Sequence, residues 1–192
     1  MASRLTLRVR RSSRDLAVLP DTGDRALGDA LWGRLCGALD KGRPHPALLV
    51  LREDRVEQFD LVQVRRVAGR GAPRLISALA AQLNKERASD VVCTALVGVL
   101  VLRGRGRPEC PGAVVYVEWP DNRWWSAVAP LAAEGGLQWP EPQIRSAVDG
   151  WPRPGGVGGW FSTARRERLW LNLQPVVPEV VPDGQQGLGL VH

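Results

Sequence analysis

The stretch from Val91 to Leu102, VVCTALVGVLVL, carries no charge and is the longest strongly hydrophobic run in the chain. It falls well short of the ~20 residues that a helix needs to cross a bilayer, so it reads as a buried strand, and no membrane partner is expected. Two further apolar stretches follow closely, Ala113 to Trp119 and Arg123 to Pro130. Parallel neighbours need a crossover of a dozen or more residues, and these connections are short. The three stretches therefore predict an antiparallel meander in the C-terminal half.

Other elements follow from periodicity. Arg4 to Arg10 alternates, with Leu5, Leu7 and Val9 on one face and Arg4, Thr6, Arg8 and Arg10 on the other, as in a half-buried strand. Asp21 to Asp24 offers capping chemistry before a helix in which Leu27, Leu31, Leu35 and Leu39 line up, with Gly42 as its stop. Gly28, Gly33 and Gly37 weaken that helix by roughly 1 kcal/mol each unless they permit close packing. Pro46 to Leu51 reads as a strand and Arg52 to Arg55 as a turn. After it, Phe59 and Leu61 alternate like a strand, but Asp60 with Leu61, Val64 and Val67 fits a capped short helix, the reading preferred here. A second main helix starts at Pro73, presents Leu75, Leu79 and Leu83 beside Ile76 and Ala80, and ends near Ser89.

From Gly135 onward proline, glycine and tryptophan dominate, apart from the alternating stretch Arg168 to Gln174, which reads as a last strand. Pro175 to Gly184 repeats VVP and suits an extended tail rather than a sheet interior. The expectation is an α+β fold: an antiparallel sheet including the meander, two main helices packed on it, and an irregular Pro/Gly/Trp-rich C-terminal region. Residues 1–174 form one domain and 175–192 a tail. The length of 192 residues, with 44% hydrophobic and 24% charged, suits a single core.

Of 26 basic residues only Lys41 and Lys85 are lysine, and Arg, Gly, Ala, Pro and Trp are abundant, the pattern of a high-GC, bacterial-type genome. The net charge of +6 is compatible with simple solubility as well as with an anionic partner. The basic segment Arg4 to Arg14 is followed by LAVLP, too short for a signal-peptide core, so a cytoplasmic location is expected. Cys36, Cys93 and Cys110 are odd in number and lack CxxC spacing, which argues for ordinary thiols rather than a disulfide or zinc framework.

VEWPDNRWW, residues 117–125, concentrates three tryptophans around a turn. Proline excludes a plain two-residue hairpin, so Pro120 and Asp121 are expected at the centre of a type I turn closed by a left-handed Asn122. That register sets Trp119 opposite Arg123, Glu118 opposite Trp124 and Val117 opposite Trp125. Adjacent tryptophans point to opposite sheet faces, so Trp124 and Trp125 can both be core only if both faces are covered. Structural packing is the leading reading; the functional one leaves the face bearing Glu118 and Trp124 exposed as a contact patch.

Chemistry is scarce. His45 lies between two prolines and His192 is the last residue, so neither is placed like a catalytic base or metal ligand. GGVGG, Gly155 to Gly159, lacks the GK[ST] ending of a P-loop and reads as a flexible loop. Glu53, Asp54, Glu57 and Asp60 fit a solvated turn better than a cation site. No catalytic residue, metal or cofactor is expected, and the chain reads as a binding protein. The first expectation is a protein-interaction or assembly module using Glu118, Trp119, Arg123, Trp124, Trp151 and Trp160, together with the tail. The alternative is nucleic-acid binding through Arg103, Arg105, Arg107, Arg165, Arg166 and Arg168, with the arginines of Arg8 to Arg14, and with tryptophans stacking on bases.

Overall fold

The computed structural model describes residues 4–13, 23–42, 44–64, 72–86, 88–102, 108–132, 137–138, 141–147, 149, 158–161 and 170–175. In chain order the elements are β1 (Arg4–Ser13), α1 (Gly23–Leu39), β2 (Ala47–Arg52), β3 (Arg55–Asp60), α2 (Ala72–Glu86), β4 (Val91–Leu102), β5 (Cys110–Glu118), β6 (Trp124–Pro130), β7 (Gln143–Ser146) and β8 (Trp170–Pro175). The strands form one sheet in the order β7-β6-β5-β4-β2-β3-β1-β8. The apolar run is β4 over its whole length, and it enters the expected meander with β5 and β6. A mixed α+β class is therefore shown. None of the described helices is long and apolar enough to cross a membrane.

The helices lie on opposite faces. Leu27, Leu31 and Leu35 of α1 join Cys93, Val115 and Trp125 in one cluster. The α1 residue Gly28 is needed for this contact, because a Cβ there would overlap the Trp125 ring, whereas Gly33 and Gly37 face open space. Beyond the last turn Gly42 takes φ 138° and its N–H reaches the Leu39 carbonyl at 3.1 Å, which makes it the stop expected of a glycine there. Ile76, Leu79 and Leu83 of α2 pack with Leu48, Phe59 and Leu96 in the other cluster.

Three expectations need correction, and one ambiguity resolves. Arg52 and Arg55 end β2 and begin β3, and only Glu53 and Asp54 form the turn. Pairing decides the stretch after it: β3 continues through Phe59 to Asp60, because Phe59 lies between Leu48 and Val9 in the sheet. The preferred capped helix then follows at residues 62–64, with the Asp60 carboxylate accepting the Val62 N–H at 2.9 Å, while Val67 lies outside the described residues. The region after Gly135 holds a further strand, β7, which pairs antiparallel with β6. Its sequence QIRS is too short to show a period. Finally, β8 is the expected last strand, but it lies parallel to β1, from Arg4 opposite Trp170 to Val9 opposite Pro175. The sheet is thus mostly rather than wholly antiparallel. The cap at Asp21 and Thr22, and the tail beyond Pro175, lie outside the described residues.

Candidate functional site

The hairpin joining β5 and β6 has the geometry its sequence requires. Asn122 takes φ 67°, its N–H donates to the Trp119 carbonyl at 3.0 Å, and the Trp119 N–H donates to the Arg123 carbonyl at 3.0 Å. Glu118 faces Trp124 and Val117 faces Trp125, as the turn type dictates. The Arg123 guanidinium carbon lies 5.7 Å from the centre of the Trp119 ring, a cation–π contact. The Asp121 carboxylate accepts from the Arg123 side chain and backbone, which outweighs its burial and lowers its pKa.

The expected exposed patch is absent, because both sheet faces are covered here. Trp125 is 2% exposed beneath α1, and Trp124 is 5% exposed on the opposite side with Tyr116 and Trp160. Glu118 is 0% exposed. Its Oε2 accepts the Tyr116 hydroxyl at 2.9 Å and the Gly159 N–H at 2.9 Å, and its Oε1 accepts the Trp160 N–H at 3.0 Å. The Tyr116 ring meets Trp160 edge-on at 4.9 Å and stacks on Trp124 at 6.3 Å, and the Trp160 indole N–H donates to Ser77 Oγ on α2 at 3.4 Å. A carboxylate in apolar surroundings is tolerable only with such donors. With both oxygens occupied by the protein's own donors and its surface sealed, this group clasps the chain and presents nothing to an outside molecule.

Sequence reasoning read GGVGG as a flexible loop and missed its task. Gly159 has φ 71°, the left-handed region that glycine enters without a Cβ penalty, and this turns successive N–H groups toward one anion. The anion is the chain's own Glu118. A lone glutamate in the otherwise uncharged strand AVVYVEW, with a glycine pair preceding a tryptophan, was the available signal.

A second buried carboxylate sits at the end of the sheet. Glu57 accepts from Arg52 at 2.8 Å and from Arg11 at 3.1 Å, and Arg55 stands at 3.4 Å; Arg52 also bonds Asp90 at 2.6 Å. Burial pushes the Glu57 pKa up, but the bonds and charges of Arg52 and Arg55 outweigh it and hold it below the ordinary carboxylate value. Cys36 has its thiol pKa raised, by burial and then by Asp40, which keeps it protonated.

The exposed chemistry lies elsewhere. On the α1 side the main contacts of that helix are with β4, β5 and β6. Past Leu49 of β2, half-buried against the α1 cluster, and Val56 of β3, buried within it, the same sheet face turns polar. Leu7 and Val9 of β1 and Leu171 and Leu173 of β8 point to the α2 side, so Arg8, Arg10, Asn172 and Gln174 point to the other. Arg8 pairs with Gln174 and Arg10 with Gln58, and all four are exposed.

Of the residues expected to contact a partner, Glu118, Trp119, Trp124 and Trp160 are buried and Arg123 is exposed. Trp151 and the arginines at 103, 105, 107, 165, 166 and 168 lie outside the described residues. Among the described residues no group of three or more His, Cys, Asp or Glu side chains is arranged to hold a metal ion. The chain matches no protein-family model, no curated protein and no solved structure.

Proposed function

We propose that the protein is a non-enzymatic binding module that lays the phosphate backbone of a nucleic acid along the polar half of its sheet. The observation that carries this reading is the exposed face on which Arg8 stands beside Gln174 and Arg10 beside Gln58. Arginine and side-chain amides are the groups that contact phosphate and sugar in such complexes. The net charge of +6 adds attraction at a distance. Base stacking on tryptophan is not part of this reading, because Trp119, Trp124, Trp125 and Trp160 are consumed in the core. Binding of this kind tolerates any base sequence and takes duplex at least as well as single strand.

The test is fluorescence anisotropy of labelled random duplex and single-stranded DNA over a salt series. The expected result is binding that weakens steeply with salt, with the double variant Arg8→Glu and Arg10→Glu lowering the log–log slope by about 2. No binding at low salt, or an unchanged slope in the double variant, sinks the reading.

Docking of another protein remains the second reading, and one observation favours it. Ile144 is 39% exposed on β7, the short strand at the sheet edge, where an incoming strand could pair. Ile144→Lys should release a protein that co-purifies with the wild type; retention of that protein excludes this edge.

A further inference from the structure

We infer that the polar sheet face selects double-stranded RNA over double-stranded DNA by reading 2′-hydroxyls with side-chain amides; this rests on the proposed role of that face. Beside its two arginines the face carries amides from both strands that flank β1: Gln58 on β3, and Asn172 and Gln174 on β8. Gln58 stands opposite Arg10, Gln174 opposite Arg8 and Asn172 opposite Thr6. Gln58 and Gln174 are exposed and Asn172 is half-buried. Of the carboxylates on these three strands, Glu57 points to the α2 side with Phe59, and Asp60 is bonded to the Val62 N–H at the end of β3.

Phosphate contacts do not separate RNA from DNA, because both present the same anion. The 2′-hydroxyl does separate them. It both donates and accepts hydrogen bonds, as an amide does and a guanidinium does not. Shape points the same way. Three adjacent strands span roughly 10 Å, and Arg8 and Arg10 follow each other at roughly 7 Å along β1. A floor of that width does not enter the minor groove of B-form DNA, which is about 6 Å across. The minor groove of an RNA duplex is wide and shallow and displays its 2′-hydroxyls, so the face can lie across it with arginines at the bordering phosphates. The buried Trp119, Trp124, Trp125 and Trp160 supply none of the stacking by which single-stranded RNA is held, which favours the duplex.

Fluorescence anisotropy on the full chain tests this with four probes of one sequence: duplex RNA, duplex DNA, single-stranded RNA, and an A-form duplex carrying 2′-fluorine in place of the hydroxyl. Duplex RNA should bind about 30-fold more tightly than duplex DNA, the gain from two ordinary neutral hydrogen bonds. The fluorinated duplex should fall close to DNA. The double variant Gln58→Ala and Gln174→Ala should lose most of the RNA preference while its DNA affinity and salt slope stay nearly unchanged, an outcome that misfolding would not give. Equal affinity for the two duplexes, tighter binding of single-stranded RNA, or a preference that survives in the fluorinated duplex or the amide variant overturns the inference and leaves the phosphate contacts standing. Failure of every probe to bind at low salt removes the binding role of the face, and the inference with it.

Discussion

The two faces of the sheet are closed by different means. Beneath α1 the interior is dry: Leu27, Leu31, Leu35, Val115, Val117 and Trp125 pack by shape, and a missing Cβ at Gly28 lets helix and indole meet. On the α2 side polar groups are buried. Ser77 and Asn84 of the helix and Thr94, Glu118 and Ser126 of the strands are all buried, and the Arg52–Glu57 pair closes the end. Thr94 donates to Asn84 at 2.7 Å, and Glu118 lies directly across from Thr94 in the sheet. A dry face tolerates volume-conserving apolar substitution, whereas a wet one depends on each partner being present. The wet face also receives a segment from outside the meander, at Gly158 to Phe161, and a specific polar socket fixes where that segment sits.

The strongest way to break the contrast is Trp160→Ala. It removes a fully buried ring, the edge contact with Tyr116 and the indole bond to Ser77 of α2, and should cost about 3–5 kcal/mol in urea unfolding. A loss below about 1 kcal/mol would mean that the segment contributes little to the wet face. Next comes Glu57→Gln, about 2 kcal/mol at neutral pH, since it withdraws a charge that several guanidinium groups share. The pH dependence carries the sharper information. The Glu57 pKa is lowered on folding, so its stabilisation is complete above the ordinary carboxylate value and fades as pH falls through the depressed one. Wild type and variant should therefore converge in acid. A constant gap across that range would assign the cost to packing.

How much of this was legible follows from polarity contrast. The half-buried strand β1 alternates, and its inward Leu7 and Val9 and outward Arg8 and Arg10 could be read directly. The turn was legible to the residue, because proline and asparagine exclude other geometries. In β4 nearly every side chain is apolar, so its existence was plain but its faces were not; only Thr94 marks the wet side. The covering of both faces over Trp124 and Trp125 was left open because no local signal states what packs above a strand. The Glu118 clasp joins positions some forty apart, and the β8–β1 pairing joins the two ends of the described chain. Neither leaves a periodic trace.

The dry face yields a prediction of opposite sign within one helix. Gly28→Ala should destabilise by about 1–3 kcal/mol, because the new methyl meets the Trp125 ring and not the far end of a flexible chain. Gly33→Ala and Gly37→Ala face open space and should each stabilise by up to about 1 kcal/mol through helix propensity. Thermal unfolding of the three single variants decides it. Equal effects at all three positions would remove close packing as the reason for Gly28.

The smallest effect expected is at the rim of the dry face, where Arg123 lies over Trp119. Trp119 is 7% exposed and belongs to the α1-side cluster, so the guanidinium acts as its outer cover. Arg123→Ala should cost about 0.5–1 kcal/mol. Two contacts compete for that figure, the ring and the Asp121 carboxylate, and they separate by salt and by partner. The ion pair is about half exposed at both ends, so its share is small and screened. The ring contact keeps its value when salt rises, because the stem and the flat face of the guanidinium cover apolar surface. Arg123→Ala measured at low and at high salt should thus lose nearly the same stability, and Asp121→Asn should change little beyond its turn bond. A cost for Arg123→Ala that vanishes in salt would make the rim an electrostatic lid, and the dry face would then be closed by shape only beneath the helix.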